Sequence, residues 1–146
     1  TKFARLPGLN GEMKMSKSAG NTILISDAPS EIAARMKSAV TDPLKVRRND
    51  PGRPEVCLVF TYHRKFNSAG APEIEAGCRS GALGCVDCKL KAATAISEVL
   101  APIREKRAWY EGHRDEVLQI LDEGERKARG TAAATMARVH DAMKIG

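Results

Sequence analysis

Aromatic residues are scarce in this chain: one Trp, two Tyr and three Phe make up 4% of its 146 residues. Ala, Leu, Val, Ile and Met are plentiful instead, a balance that disfavours a sheet-built core and favours packed helices. No signal peptide and no apolar run long enough to cross a membrane is present, so a soluble cytoplasmic protein with no membrane partner is the expectation. There is no internal repeat and no low-complexity tract. Histidine is limited to His63, His113 and His140. They are isolated and read as surface or helix-face residues. Acidic residues are outnumbered, 18 against 24 basic, for a formal charge of +6. That excess is compatible with an anionic partner such as RNA. The length fits one domain with a sizeable core. A start at Thr1 rather than Met reads as a fragment.

Against these absences stands one dense segment, Lys14-Met15-Ser16-Lys17-Ser18, followed by Gly20. Two ammonium groups and two hydroxyls on a short loop can surround a polyphosphate. Lysine is a compact point charge suited to phosphate oxygens. Positioned cations stabilise the charge that builds on a reacting phosphate. For an arbitrary loop of this composition, a solvated Lys/Ser turn would be the better reading.

The rest of the chain reads as follows. Residues 1–9 read as a strand end and a turn, with Pro7-Gly8 and Asn10-Gly11 as turn dipeptides. Ser26-Asp27 and Pro29 signal a helix start, with Ile32, Met36, Ala39 and Val40 at helical spacing. Asp42-Pro43 closes that helix, and a basic loop runs to Arg53. Pro54 opens a second helix, with Val56, Val59, Phe60 and His63 on one face. Pro72-Glu73 starts a third, ending near Arg79. A long helix runs from near Cys85 to about Tyr110, with Leu90, Ala93, Ile96, Leu100 and Ile103 as its core stripe. Pro102 is expected to kink or divide it. A last hairpin or broken helix, weakened at Gly124 and Gly130, follows. The fold class is therefore mainly α, a helical bundle over residues 28–146 preceded by a short strand and loop segment over 1–27.

Cys57, Cys78, Cys85 and Cys88 are spaced C-x20-C-x6-C-x2-C. Packed core thiols, disulfides and a four-thiolate metal site compete as readings. The Cys85-x2-Cys88 bite at a helix start favours the metal site, because a helix N-terminus lowers thiolate pKa. Only one short pair is present, which favours an iron–sulfur cluster over zinc.

The word K-M-S-K-S is the signature loop of class I aminoacyl-tRNA synthetases, and the chain resembles that superfamily. Ser38-Ala39-Val40-Thr41-Asp42-Pro43, Gly84-Cys85-Val86-Asp87-Cys88-Lys89, the run Leu121–Arg129 and Val139-His140-Asp141-Ala142-Met143 resemble tryptophanyl-tRNA synthetases. Some bacterial members of that family carry a 4Fe–4S cluster on C-x22-C-x6-C-x2-C, from which this chain departs by two residues in the first spacing. The resemblance implies a C-terminal fragment: residues 1–27 as the end of the α/β catalytic domain, and residues 28–146 as the helical anticodon-binding domain. It implies that the whole enzyme activates L-tryptophan with ATP and Mg and transfers it to tRNA(Trp). The whole enzyme would be a homodimer through an N-terminal domain that this chain lacks, and the fragment alone would be inactive. It implies Lys14 and Lys17 as catalytic cations, Lys17 being the one that meets transition-state charge. Leu6, Met15, Ser16 and Ser18 join them in the ATP site, with Met15 an anchor of the loop. Zinc stays open as the alternative to the cluster. Asp42, Arg79, Asp87 and Lys89 are tRNA-contact candidates, within a basic group that includes Arg47, Arg48, Arg53, Arg64, Lys65 and Lys91. Trp109 reads as a core or helix-packing residue. A stand-alone metal-stabilised RNA-binding module and a tyrosine-specific synthetase fragment are the alternatives.

Overall fold

The computed structural model describes residues 5–145. It is mainly helical: α1 Pro29–Ser38, a 3₁₀ turn Pro54–Val56, α2 Leu58–Phe66, α3 Ala71–Ser80, α4 Cys85–Gly112 and α5 Arg114–Met143. There is no strand among the described residues. The strand end expected over residues 1–9 lies partly outside them, and its described part is loop. No helix is long and apolar enough to cross a membrane among the described residues. Two compact units divide after Arg104.

The first unit holds the core. Ile32 and Met36 of α1, Val59 and Tyr62 of α2, Ile74 of α3 and Ala93 and Ile96 of α4 are buried together. Packing of these faces supplies most of the stability of such short helices. α1 starts at Pro29, whose fixed φ suits the first helical turn. The cap differs from expectation. Ala28 holds the N-cap position, and Glu31 Oε2 reaches back to accept the Ala28 N–H at 2.7 Å. Asp27 turns inward instead, accepting the Leu24 N–H and pairing with Arg35 at 2.9 Å. α3 ends at Gly81 with φ +77°, where a Cβ would lie 2.2 Å from the Asn49 carbonyl oxygen. Only glycine satisfies both the left-handed backbone and that approach.

Two helices run further than their breakers suggest. α4 continues through Pro102 as one element. Arg104 reaches back seven residues across that turn and donates to the Ser97 carbonyl at 2.9 Å and hydroxyl at 3.1 Å. The α4 stripe also shifts: Cys88, Ala92, Ala93 and Ile96 are buried, whereas Leu90 and Ile103 are exposed.

The second unit comprises the end of α4 and α5, a single 30-residue helix through Gly124 and Gly130. α5 has no buried residue, and the hairpin expected there is absent. Trp109, expected in a core, is 44% exposed and stacks on the His113 ring one turn away, 4.1 Å between centroids. Residues 105–146 balance eight acidic against eight basic side chains, so the net positive charge belongs to the first unit.

Candidate functional site

The phosphate-loop candidate is built around one residue that the sequence reading passed over. Asn21 is 4% exposed. Its Oδ1 accepts the Ser16 backbone N–H at 2.8 Å, and its Nδ2 faces Asn10 Oδ1 at 2.9 Å, Glu12 Oε2 at 3.2 Å and the Lys14 carbonyl at 3.3 Å. Its own carbonyl accepts the Leu9 N–H at 2.9 Å. One buried amide therefore closes residues 9–21 into a loop. Gly8 permits this, because a Cβ there would sit 2.2 Å from Asn21 Nδ2. The only sequence signal for this role is position: Asn21 is the first polar residue after the signature, before the apolar run Thr22–Ile25.

The signature residues divide between anchor and surface. Met15 packs against the core. Lys14, Lys17 and Ser18 are exposed, and Ser16 and Ser18 share a hydroxyl–hydroxyl bond of 2.7 Å. Leu6 is half-buried beside Pro7, whose carbonyl accepts the Tyr62 hydroxyl at 2.6 Å. Burial pushes the Tyr62 phenol up to about 12. The arrangement leaves two ammonium groups free to meet an anion from a backbone that is already fixed.

The four cysteines sit on three helices of the first unit. Cys57 is the N-cap of α2, Cys78 lies in the last turn of α3, and Cys85 and Cys88 occupy the first turn of α4. All four thiols are free, with Cys57 and Cys88 buried. They lie close enough to act on one another: Cys57 and Cys85 act on Cys78, and Cys57, Cys78 and Cys85 act on Cys88. Among the described residues, no group of three or more His, Cys, Asp or Glu side chains is arranged to hold a metal ion. Thiolate pKa does not follow the helix N-terminus. Burial first, then the neighbouring sulfurs, push Cys88 up to about 12 and Cys78 above its ordinary value. The positive charge of Lys45 opposes this at Cys78. Lys45 is itself buried, with its ammonium donating to the Asp50 carbonyl.

His63 is fully buried, not a surface residue. Its Nε2 lies 3.0 Å from the Cys88 carbonyl oxygen and 3.4 Å from Cys88 Sγ, and burial lowers its pKa. Its helical register with Val59 and Phe60 was the available signal.

The tRNA-contact candidates all have partners within the chain. Asp42 is 3% exposed, and both its oxygens are occupied. Arg53 Nε, Nη2 and backbone N–H donate to it at 3.1, 2.7 and 2.8 Å, and the Leu44 N–H donates at 3.0 Å. The Arg53 guanidinium and these donors hold its carboxyl well below the usual range. Asp42 is thus a fold-locking carboxylate with no open edge for a base. Arg79 is clamped by Glu55 at 3.1 Å and Glu75 at 2.9 Å. Asp87 pairs with Arg48 at 3.2 Å, and Lys89 donates to the Lys37 carbonyl at 2.8 Å, near the end of α1.

Comparison with known proteins matches residues 2–101 to the family described as tRNA synthetases class I (W and Y). A tryptophan–tRNA ligase of Aquifex aeolicus (strain VF5) is 42% identical over 99% of this chain and 37% of its own length. One from Deinococcus radiodurans is 41% identical over 97% of this chain and 43% of its own length. The crystal structure of a Campylobacter jejuni tryptophanyl-tRNA synthetase complexed with ADP and tryptophan superposes with a TM-score of 0.86 at 27% identity. That match covers 99% of this chain and 44% of the other. The chain spans about two-fifths of the length of the curated relatives it matches.

Proposed function

The chain belongs to the class I tRNA synthetase family of tryptophan and tyrosine enzymes, and we propose that it is the C-terminal part of a tryptophan–tRNA ligase. In this reading it supplies the ATP-phosphate loop and the anticodon-binding helices of an enzyme that activates L-tryptophan with ATP and Mg and charges tRNA(Trp). The observation that carries the reading is the loop held by Asn21, which leaves Lys14 and Lys17 exposed on a fixed backbone. Lys17 meets the charge developing on the transferring phosphates, Lys14 binds the same polyanion, and Ser16 and Ser18 donate hydrogen bonds to it. Leu6 lines the adenine side, and Met15 anchors the loop. The basic first unit faces the tRNA, with Arg79 exposed and Asp87 and Lys89 half-buried, and electrostatics supplies much of the affinity. The whole enzyme acts in the cytoplasm as a homodimer through its N-terminal domain.

The four cysteines hold a 4Fe–4S cluster in this reading. Two facts support the fit. The donors are four free thiols, three of which lie close enough to act on Cys88, and Gly52 approaches Cys78 so closely that a Cβ would lie 2.6 Å from its sulfur. A zinc ion draws its ligands to one point, whereas a four-iron cluster spreads thiolates over separate irons. When bound, the cluster supplies a rigid crosslink and electron-accepting iron. The chain's own residues set its burial and polarity.

The test is charging by the full-length protein that carries this chain. Attachment of L-tryptophan to tRNA(Trp) is expected. Attachment of tyrosine to its own tRNA instead would reassign the specificity within the family, and the absence of any charging would leave an RNA-binding module.

A further inference from the structure

One buried polar group has no part in the proposed reaction: the His63 ring, held between Asn67 and Cys88. Its protonation pattern can be read from the hydrogen bonds around it. The Gly70 backbone N–H can only donate, and it points at Asn67 Oδ1 from 3.3 Å. That contact identifies the oxygen of the Asn67 amide and turns its NH₂ group towards His63. Asn67 Nδ2 lies 3.2 Å from His63 Nδ1. An NH₂ group also only donates, so Nδ1 must accept and carries no proton. A neutral ring then has its proton on Nε2. That nitrogen lies 3.0 Å from the Cys88 carbonyl oxygen and 3.4 Å from Cys88 Sγ. Gly70 belongs to the device, since a Cβ there would lie 2.7 Å from Asn67 Oδ1.

We propose that Asn67 and His63 form an orienting pair that delivers one fixed N–H to Cys88, making Cys88 a hydrogen-bonded ligand among the four sulfurs. The inference rests on the cysteines holding metal. His63 is a positioning residue here, not a ligand. It stands on α2, the helix capped by Cys57, and reaches the first turn of α4. One ring therefore ties two cysteine-bearing elements together and supplies a donor where a thiolate would gather negative charge. Hydrogen bonds to cluster sulfurs raise the reduction potential. Partners behind the ligands typically contribute about 10- to 100-fold to metal retention.

The test compares His63→Leu, His63→Gln and Asn67→Ala with the unaltered full chain after anaerobic reconstitution with iron and sulfide. Gln can place an amide N–H near the position of Nε2, whereas Leu cannot. His63→Leu is expected to lower the reduction potential, shift the iron–thiolate stretching bands and lose iron to a chelator about 10-fold faster. His63→Gln is expected to restore most of all three. A folded His63→Leu protein with unchanged potential and bands would overturn the proposal. The ring is read separately, without metal, from its ¹⁵N shifts. A proton on Nε2 that Asn67→Ala no longer fixes supports the pair, and a proton on Nδ1 overturns it. If the unaltered chain takes up no iron, the metal reading fails and Cys88 is no ligand. The proposal then falls as well, while the ¹⁵N result still shows whether Asn67 fixes the ring.

Discussion

Asn21 Oδ1 accepts the Ser16 backbone N–H at 2.8 Å, so the middle of the signature loop hangs from a side chain five residues further on. The same amide reaches Asn10, Glu12 and the Lys14 carbonyl. A loop with two exposed ammonium groups would otherwise have little to fix it. Preorganised charge is more effective than charge that must be ordered during reaction.

Removing this hub tests its structural weight. Asn21→Ala leaves the Ser16 N–H and the Lys14 carbonyl without their partner, at a cost of about 1–3 kcal/mol. Amide exchange over residues 10–20 is expected to accelerate, while exchange in α2 and α4 stays slow. Gly8→Ala is expected to act in the same direction, because its Cβ would displace the Asn21 side chain. Unchanged exchange in the loop of Asn21→Ala would show that Met15 packing alone holds it.

The loop's charge is tested in the full-length protein that carries this chain. Lys17→Ala is expected to slow tryptophan-dependent ATP–pyrophosphate exchange by about 100-fold, the scale of losing one positioned donor to transition-state charge. Tryptophan affinity is expected to change little, because Lys17 acts where phosphate charge develops. The opposite pattern, normal exchange with lost tryptophan affinity, contradicts this role.

How far the sequence speaks depends on whether a signal is local. Proline residues marked the starts of α1 and α3, and the Cys85 region marked α4, because those signals act within one turn. Gly124 and Gly130 misled, since a helix glycine costs only about 1 kcal/mol. The surrounding Ala, Glu, Lys and Arg outweigh that. Pro102 does not divide α4, and the Arg104 contact to Ser97 across the same turn is visible only in three dimensions. The signature word was legible, but its dependence on Asn21 was not, because the contact is a choice of rotamer. As a tRNA-contact candidate Asp42 needs an open carboxylate edge, and its sequence neighbourhood carries no signal of burial. Its burial follows from Arg53, eleven residues away. The helix N-terminus was expected to favour the Cys88 thiolate, and burial outweighs it.

The Asp42–Arg53 pair gives a pH prediction. The folded carboxyl titrates below the unfolded one, near pH 3.9. Between the two values the unfolded chain binds more protons, so stability falls as the solution is acidified. The contribution of the pair is fully present above the unfolded value and is lost as pH drops towards the folded one. Asp42→Asn is therefore expected to be less stable than the unaltered chain at pH 7, with the difference narrowing below pH 4. Urea midpoints across that range check it. A difference that is constant with pH would mean that Asp42 acts through its shape and not its charge.

The cysteines set the last prediction. Cys57, Cys78 and the Cys85–Cys88 turn belong to three helices, so a shared metal group closes loops between elements distant in sequence. Such a crosslink stabilises their docking and the chain between them. Anaerobically purified protein is expected to be brown, with about four irons per chain, as a cubane cluster requires. Cys85→Ser and Cys88→Ser are expected to lose iron and weaken tRNA(Trp) binding, while tryptophan activation by the full-length protein survives. The separation follows from position: the Ser16 N–H of the signature loop is held by Asn21, with no cysteine among the partners of that amide. Stoichiometric zinc without iron would replace the cluster by a zinc site drawn together on binding. Metal-free protein whose serine variants bind tRNA(Trp) normally would return the four thiols to core packing, for which the burial of Cys57 and Cys88 already suffices.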